Sequence, residues 1–268
     1  MPHRSPIGVF DSGVGGLTVL RALREALPAE DFIYLGDTAR LPYGTKSQDT
    51  VVRYSTQCAA ALVARGVGCL VVACNTASAS ALGALALRYP ALPIIGVIEP
   101  GAQAAVAASG SKHIAVIGTE GTISGGAYQS AIRRRSADAR VTARACPMFV
   151  ALAEEGWIHG PVTEAVARRY LEPIFRGDDA PDTLVLGCTH FPILTPVIRT
   201  VVPQQVRIID SAATTAAEVL RKTRAAADPA GRGRVTWLAT DGAERFARVG
   251  STFFGEALYA GQIEIIDL

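Results

Sequence analysis

Lysine is scarce in this sequence, and its scarcity argues against one class of cofactor chemistry. Only three lysines occur, at Lys46, Lys112 and Lys222. An enzyme that uses pyridoxal phosphate holds it on a lysine as a Schiff base, and none of the three lies in a stretch typical of such a site. Metal-ligand spacing is also missing, because no cluster of cysteine and histidine resembles a zinc site. We therefore expect a protein without a cofactor and without a metal.

The chain also lacks a strong net charge and long apolar runs. Its 26 basic and 24 acidic side chains leave a net charge of +2, and no basic stripe typical of nucleic-acid binding is present. The densest basic run, at Arg133, Arg134 and Arg135, is interpreted as a solvated helix face. No stretch reaches the ~18 apolar residues of a membrane span, and Met1 leads into the first strand without a signal peptide. We expect no nucleic-acid partner, no membrane contact and a cytoplasmic location.

Paired cysteine motifs are missing as well. The five cysteines are odd in number, widely spaced and without a C-x-x-C pair: Cys58, Cys69, Cys74, Cys146 and Cys188. This pattern argues against a disulfide framework and against a thiol oxidoreductase. Each cysteine is therefore either a small core residue or a reactive thiol. Cys58, Cys69 and Cys146 have no setting typical of a site and are interpreted as structural.

What the sequence does have is an alternation of short apolar runs with Ala- and Leu-rich stretches. The runs are continuous, which is typical of strands buried on both faces of a parallel sheet. The alternation predicts an α/β fold. Among the predicted elements are a strand over 93–98, a helix over 212–227 and a loop over 228–234. His113 is interpreted as a surface residue.

The two halves of the chain resemble each other. Three segments match in the same order: IGVFDSGVGG with IAVIGTEGTI, LVVACNTAS with LVLGCTHFP, and IIGVIEP with VRIIDSA. This repeat predicts two pseudo-symmetric three-layer α/β lobes with mostly parallel sheets. The elements after residue 209 are too few for a third domain, so we expect lobe A over 1–97 plus 210–268 and lobe B over 98–209. The active site would lie in the cleft between the lobes.

Cys74 and Cys188 occupy equivalent places in the two halves. Each follows an apolar strand, precedes a helix-like segment and is followed by small polar residues. Ligands of open α/β sheets bind outside the carboxyl ends of the strands, and the start of a helix can lower the pKa of a thiol. A lone cysteine there is more often a small core residue, whereas two at matched positions indicate a pair of reactive thiols.

Polar residues near the same strand ends have a structural and a functional interpretation. Asp11 and Ser12 follow the first strand, either as a helix N-cap or as an acid–base helper and a substrate-binding hydroxyl. His190 lies two residues after Cys188 and can hold a proton or stabilise a thiolate. The residue types alone leave these alternatives open.

Two further segments also have both a structural and a functional interpretation. The loop at Tyr43 and Gly44, which follows a proline, is either a generic turn or a rigid segment that closes over a ligand. Glu154 lies on a predicted helix after the strand near Val141, and it faces either solvent or the cleft.

Seven segments of the chain, taken together, resemble the glutamate racemases. They occur in the order of that family and extend over essentially the whole chain: FDSGVGGLTV, GDTARLPYG, VVACNTASA, IGVIEPG, CPMFVALAEEGW, LGCTHFP and IIDSA. CNT and CTH are weak signals alone, whereas in combination with DSG and PYG they are specific. The resemblance implies a racemase, free of pyridoxal and of metal, that supplies D-glutamate for peptidoglycan from a site between two pseudo-symmetric lobes.

The resemblance also implies roles for single residues. Cys74 and Cys188 would be the catalytic thiols, with Asp11 as the helper near Cys74 and with His190 and Glu154 as helpers near Cys188. The residues that would bind glutamate are Asp11, Ser12, Tyr43, Gly44, Asn75, Thr76, Thr119, Thr122, Thr189 and His190.

Two thiols suit this chemistry. Racemisation removes a proton from one face of the α-carbon and adds one to the other face, so a thiolate and a thiol on opposite faces need not move. Backbone N–H groups and hydroxyls around the α-carboxylate are the available means of stabilising the carbanion. No arginine is clearly placed for the side-chain carboxylate, so helix starts are the expected clamp.

Other functions remain as alternatives. An aspartate racemase, or another amino-acid racemase of the superfamily, would carry the same thiols, and a non-catalytic amino-acid-binding protein would share the cleft without needing them. The chain departs from the family pattern at Leu41, where cysteine is frequent, and at Ala151, where proline is expected, and these departures concern the local shape of the cleft. The sequence does not set the oligomeric state and leaves a homodimer open.

Overall fold

The computed structural model describes residues 5–223 and 233–268. Ten strands lie within these residues: β1 (Ile7–Asp11), β2 (Phe32–Gly36), β3 (Cys69–Val72), β4 (Ile94–Gly96), β5 (His113–Gly118), β6 (Arg140–Ala145), β7 (Thr183–Gly187), β8 (Arg207–Asp210), β9 (Val235–Ala239) and β10 (Ile263–Ile265). Eleven α-helices lie within the same residues: α1 (Leu17–Ala26), α2 (Gln48–Val63), α3 (Asn75–Arg88), α4 (Ile98–Ala108), α5 (Glu120–Ser124), α6 (Ala127–Arg135), α7 (Met148–Glu154), α8 (Pro161–Leu171), α9 (Thr195–Val201), α10 (Ser211–Thr223) and α11 (Ala243–Phe254).

The strands form two parallel sheets with related topology. The first lobe is built on a six-stranded sheet of order β10-β9-β2-β1-β3-β4, and the second lobe on a four-stranded sheet of order β6-β5-β7-β8. Within the larger sheet, the order β2-β1-β3-β4 repeats the order of the smaller one with every strand number lowered by four. This correspondence confirms the prediction of two pseudo-symmetric α/β lobes with parallel sheets.

The central strand β1 shows why its sequence is a continuous apolar run. All of its residues are buried, and it pairs with β2 and β3 at once, so that Val9 lies opposite Tyr34 and Val71. Successive side chains of a strand point to opposite faces, and Val9 and Phe10 accordingly belong to different cores. Both faces of this strand must therefore be apolar.

Two cores cover the larger sheet. One contains Phe10 and Leu85 and lies under α2 and α3. The other contains Val9 and continues without a break into the second lobe, where Val116 and Val185 belong to it. The two lobes are therefore held together by shared apolar burial as well as by polar contacts.

Two helices cross between the lobes. Helix α4 leaves β4 of the first lobe and packs against α6 and β7 of the second, whereas α10 leaves β8 of the second lobe and packs against α1 of the first. Pro100 is the third residue of α4, where its missing N–H has no helical partner to lose. Each of these helices thus carries the chain from the strand of one lobe onto the surface of the other.

The sequence interpretation was wrong at two points. The strand predicted over 93–98 ends at Gly96, and its last apolar residue already begins α4. His113 is buried, with ring nitrogens 2.9 Å from the Asp179 carbonyl oxygen and 2.8 Å from Thr142 Oγ1. Residues 224–227 of the predicted helix and 228–232 of the predicted loop lie outside the described residues.

Among the described residues, no helix combines the length and the apolar character that crossing a bilayer requires.

Replacing Phe246 tests the contact between α11 and the larger sheet. Its ring is 1% exposed and packs edge-on against Tyr34 at 6.0 Å. Phe246→Ala is expected to lower the free energy of unfolding by about 3–5 kcal/mol, because the lost apolar contacts leave a cavity. Urea unfolding followed by circular dichroism measures this. The matched control is Leu87→Ala, at a residue 85% exposed, and equal unfolding midpoints for the two variants would contradict the packing described here.

Candidate active site

Cys74 and Cys188 lie just beyond the carboxyl ends of corresponding strands. Cys74 follows β3 of the first lobe and Cys188 follows β7 of the second. Each residue is 5% exposed, and negative charge on Cys188 is close enough to raise the pKa of Cys74. The topology therefore brings the two thiols into one electrostatic neighbourhood between the lobes.

The Cys74 thiol is held at the start of α3. Its Sγ accepts a hydrogen bond from the Ala77 backbone N–H at 3.4 Å and donates one to Ser12 Oγ at 3.6 Å. Burial and the nearby Asp11 carboxylate raise the pKa of Cys74 to about 12, while the contacts with Ala77 and Ser12 act in the opposite direction. The helix start does reach the sulfur and acts to lower its pKa, as expected, but burial outweighs this effect and the pKa does not move toward neutrality.

Asp11 is the last residue of β1 and lies close to Cys74 and to His190, the neighbour of Cys188. Its carboxylate is fully buried, and Oδ2 accepts a hydrogen bond from the Gly13 N–H at 2.9 Å. Oδ1 has no hydrogen-bond partner among the described residues. Burial raises the pKa of Asp11, and the charge of His190 opposes this. One carboxylate thus interacts electrostatically with Cys74 on one side and with His190 on the other.

The Cys188 thiol begins a chain of polar contacts that crosses to the other lobe. His190 Nδ1 lies 3.8 Å from Cys188 Sγ, and His190 Nε2 lies 3.1 Å from Glu154 Oε1. Arg245, on α11 of the first lobe, donates to Glu154 Oε2 at 3.0 Å. Three side chains of the second lobe are therefore linked to one arginine of the first.

These contacts determine the charges at the Cys188 side. Burial lowers the pKa of His190, but its hydrogen bonds to Cys188 and Glu154 outweigh burial and raise the pKa to about 10. Burial likewise opposes the charged form of Glu154, and the contacts with His190 and Arg245 bring its pKa below the ordinary value. An imidazolium next to Cys188 and a carboxylate behind it are thus both stable at neutral pH.

The two thiols differ in local structure. Cys74 caps a helix of 14 residues, whereas Cys188 precedes a 3-10 helix at Phe191–Leu194. The sequence interpretation gave both cysteines a helix-like neighbour, and only Cys74 has a regular α-helix directly after it. Cys188 instead has the His190 ring beside it, with Nδ1 3.8 Å from Sγ.

Three threonine hydroxyls and one amide meet across the lobes. Thr76 Oγ1 lies 3.0 Å from Thr119 Oγ1 and 3.2 Å from Thr122 Oγ1. The Oδ1 of Asn75 accepts a hydrogen bond of 2.8 Å from the Tyr128 hydroxyl, while Nδ2 of Asn75 has no partner in the described part of the chain. The structure thus groups the predicted binding residues of α3 with those of α5.

Small residues allow this close approach of the lobes. A Cβ on Gly15 would lie 2.4 Å from Thr189 Oγ1, and one on Gly44 would lie 2.7 Å from Thr119 Cβ. Thr18 Oγ1 also donates to the Thr189 carbonyl at 3.0 Å. A side chain at either glycine would therefore hold the lobes apart.

The loop at Tyr43 and Gly44 contributes backbone rather than a hydroxyl. Tyr43 is 1% exposed, and its hydroxyl donates to the buried carboxylate of Asp37. Arg40 binds the same carboxylate through Nε at 2.7 Å. These contacts fix the loop, so the Tyr43 hydroxyl is turned into the first lobe while Gly44 lies against Thr119.

Three residues of the site were missed by sequence reasoning. Arg245 lies on the polar side of an amphipathic helix and carries no sequence signal. Tyr128 lies on α6, three residues before Ala131 and four before Ile132, and this spacing predicts a buried side chain. It does not predict which group the Tyr128 hydroxyl contacts. Asp37 comes directly after β2 and Asp11 is the last residue of β1, a similarity that could have marked Asp37 in the sequence.

Within 5–223 and 233–268, no group of three or more histidine, cysteine, aspartate or glutamate side chains is arranged to hold a metal ion.

The fold and the site define a two-lobed α/β protein with a pair of buried thiols between its lobes. A family model described as Asp/Glu/Hydantoin racemase matches residues 7–219, and the chain belongs to this family. A protein of Geobacter metallireducens named glutamate racemase is 50% identical over 261 residues, which cover 96% of this chain and 95% of that protein.

Solved structures agree with this membership. The crystal structure of a glutamate racemase isoform from Bacillus anthracis superposes with a TM-score of 0.91 at 34% identity, covering 99% of this chain and 98% of that one. That of the glutamate racemase from Thermus thermophilus, in complex with beta-chloro-D-alanine, has a TM-score of 0.87 at 43% identity, covering 100% and 99%. The two-lobed fold is therefore that of known glutamate racemases.

The charge on His190 can be tested through Glu154. Glu154→Gln keeps the side-chain shape but removes the carboxylate charge, so the His190 pKa should fall well below about 10. NMR titration of histidine-labelled protein measures this shift, with Glu155→Gln, at the exposed neighbouring residue, as the control. A His190 pKa unchanged in Glu154→Gln would contradict the assignment.

The same variant has a predicted effect on stability. A histidine whose pKa rises on folding stabilises the fold fully below its unfolded pKa of ~6.5 and loses this contribution as the pH approaches the folded value. The stability difference between wild type and Glu154→Gln should therefore be largest from about pH 6.5 down to ~4.3, the ordinary pKa of a glutamate. It should decline toward about pH 10 as His190 loses its proton, and decline again at low pH, because a protonated Glu154 is as neutral as glutamine. Urea unfolding at a series of pH values measures it.

Proposed function

We propose that this chain is a glutamate racemase that interconverts L- and D-glutamate with two thiols and no cofactor. The observation that carries the proposal is the pair of buried thiols at equivalent strand ends of two related lobes, with Asp11 near Cys74 and His190 beside Cys188. The glutamate racemases among the relatives and solved structures support glutamate as the substrate.

The charges around the thiols support distinct starting roles. Burial and Asp11 raise the pKa of Cys74 to about 12, so Cys74 begins as a thiol at neutral pH. The His190 imidazolium lies beside Cys188 and stabilises negative charge on that sulfur. Cys188 would therefore remove the α-proton of L-glutamate, and Cys74 would donate its proton to the opposite face to give D-glutamate. The reverse reaction exchanges these roles.

The carbanion between these steps needs stabilisation without an electron sink. Hydrogen-bond donors aimed at the α-carboxylate stabilise the charge that develops next to it. Asn75 Nδ2 is a buried donor with no partner among the described residues, and the hydroxyls of Thr76 and Thr189 lie on the two lobes nearby. The N–H groups at the start of α3 add the positive end of a helix dipole.

The other residues proposed to bind glutamate lie on the loops and helix starts around the two thiols. We propose that glutamate is held by the DSG and PYG loops, by the starts of α3 and α5 and by the segment after Cys188; these provide Asp11, Ser12, Tyr43, Gly44, Asn75, Thr76, Thr119, Thr122, Thr189 and His190. Tyr43 would contribute through its backbone, because its hydroxyl is bound to Asp37. Asp11, His190 and Glu154 would act on the thiols.

Further expectations belong to the same proposal. The lobe boundaries would be 1–97 plus 210–268 and 98–209, with β9 and β10 in the larger sheet as support. We propose that the enzyme acts in the cytoplasm, where free thiols stay reduced, and that its D-glutamate enters peptidoglycan. A homodimer and the lack of a nucleic-acid partner stay predictions.

The direct test uses purified protein dialysed against a chelator. L-Glutamate incubated with it should lose its circular dichroism signal at a steady rate without added cofactor, and the protein should show no absorbance near a pyridoxal band. L-Aspartate in a parallel reaction tests the alternative substrate. Activity that disappears on dialysis and returns with a metal or pyridoxal phosphate would refute the cofactor-free mechanism, and faster turnover of aspartate would refute the substrate.

Serine substitutions test the two thiols. Cys74→Ser and Cys188→Ser should each reduce kcat/KM by several orders of magnitude in both directions, because a hydroxyl is a poor acid and base near neutral pH. Cys69→Ala is the matched control, since Cys69 is buried at the other end of β3. Near wild-type racemisation by either serine variant would show that its thiol is not essential.

Proton exchange separates the roles of the thiols. In heavy water, Cys74→Ser should still exchange the α-proton of L-glutamate slowly, because Cys188 remains as the base, while barely forming D-glutamate. Cys188→Ser should do the same with D-glutamate. NMR of the α-position measures both, and the reversed pattern would contradict the assignment of faces.

A further inference from the structure

The Asn75 amide is buried with one end bound and the other free. Asn75 is 3% exposed, at the first position of α3 beside Cys74. Its Oδ1 accepts a hydrogen bond of 2.8 Å from the Tyr128 hydroxyl. Its Nδ2 has no partner within the described ranges. A buried amide donor without a partner is costly in a folded protein, so a ligand that accepts from it is expected.

An amide has two ends of nearly the same shape and opposite hydrogen-bonding character. Without a fixed neighbour, a rotation of 180° about the last bond would exchange the oxygen and the nitrogen. A tyrosine hydroxyl can donate or accept, and in the structure it donates to Oδ1, which leaves both N–H groups of Nδ2 without a partner in the described residues and free for a ligand. Burial raises the pKa of Tyr128, so its hydroxyl keeps the proton that it donates.

The Tyr128 ring is itself held in one position. It is fully buried on α6 of the second lobe. A Cβ on Gly187 would lie 3.0 Å from Tyr128 Cε2, and one on Gly101 would lie 3.3 Å from Tyr128 Cε1. Two glycines thus leave room for the ring, one on α4 and one directly before Cys188. The hydroxyl has little freedom to leave Asn75.

We propose that Tyr128 is a positioning residue that orients the Asn75 amide, so that Nδ2 donates to a carboxylate of the substrate. This inference rests on the proposed function, because it assumes that a glutamate carboxylate binds beside Cys74. Tyr128 does not touch the reacting atoms, and it acts only through Asn75.

The hydrogen bond between Tyr128 and Asn75 joins the two lobes. Tyr128 lies on the second lobe and Asn75 on the first, so their hydrogen bond exists only while the lobes are together. The orientation of Asn75 that binds a carboxylate is therefore fixed by a contact between the two lobes.

Tyr128→Phe removes the hydroxyl and keeps the ring between the two glycines. The KM of both L- and D-glutamate should rise about tenfold, a typical effect of losing a fixed hydrogen bond to a charged group, with kcat changed less than about threefold. The control is Tyr89→Phe at the other end of α3, where the hydroxyl accepts from the exposed Arg88 Nε. A KM equal to that of wild type in Tyr128→Phe would overturn the proposal.

A double-mutant cycle distinguishes positioning from packing. In an Asn75→Ala background, Tyr128→Phe should have no further effect on KM, because the amide through which it acts is gone. Additive effects of the two substitutions would mean that Tyr128 acts by packing, and would overturn the proposal. Asn75→Asp gives a second test if Tyr128→Phe folds poorly. It keeps an acceptor for the hydroxyl but removes the N–H donors, and should raise KM at least as much; an unchanged KM would overturn the inference.

Calorimetric binding of L-glutamate separates this inference from the proposed function. A tenfold weaker Kd in Tyr128→Phe with no turnover by the wild type would contradict racemisation while supporting the role of Tyr128. Turnover by the wild type with equal Kd and KM in Tyr128→Phe would contradict the role of Tyr128 alone.

Discussion

Two ionisable sulfurs lie almost out of contact with water, and the surrounding structure depends on how charge is held there. A thiolate in an apolar interior is unfavourable unless donors or positive charges compensate it. The chain provides a different compensation at each sulfur. Cys74 receives a hydrogen bond from the Ala77 N–H at the start of α3. Cys188 lies beside an imidazolium whose charge is stabilised by Cys188 itself and by Glu154 on the other side of the ring.

This compensation requires the lobes to be in contact. The carboxylate that keeps His190 charged is bound by Arg245 of the other lobe, and Asp11 of the first lobe interacts with His190 of the second. The approach is limited by steric contact, so glycine at 15 and 44 and hydroxyls at 76 and 119 occur where larger side chains would separate the sheets. The charges of the site therefore depend on the contact between the lobes, since separating the lobes would hydrate the sulfurs and remove Arg245 from Glu154.

The sequence predicted the parts of this arrangement that depend on local patterns. Continuous apolar runs indicated parallel strands, and matching segments placed Cys74 and Cys188 at equivalent strand ends. It did not predict α4, because Pro100 and the preceding apolar run resemble the end of a strand. Arg245 and the Tyr128 hydroxyl could not be found either, since their partners come from the other lobe and are set by tertiary packing rather than by spacing along the chain. The burial that raises the pKa of Cys74 is equally a tertiary effect.

A reaction between mirror-image molecules does not require a symmetric site. L- and D-glutamate have equal free energies in water, so the equilibrium constant is 1 and kcat/KM must be equal in the two directions at every pH. The repeated topology places one sulfur for each face of the α-carbon. The reaction does not also require that the two sulfurs have the same surroundings. Unequal surroundings of Cys74 and Cys188 can therefore give L- and D-glutamate different values of KM and of kcat. The ratio of kcat/KM in the two directions stays at 1. The lobes can thus differ in charge, helix type and supporting residues while sharing one topology.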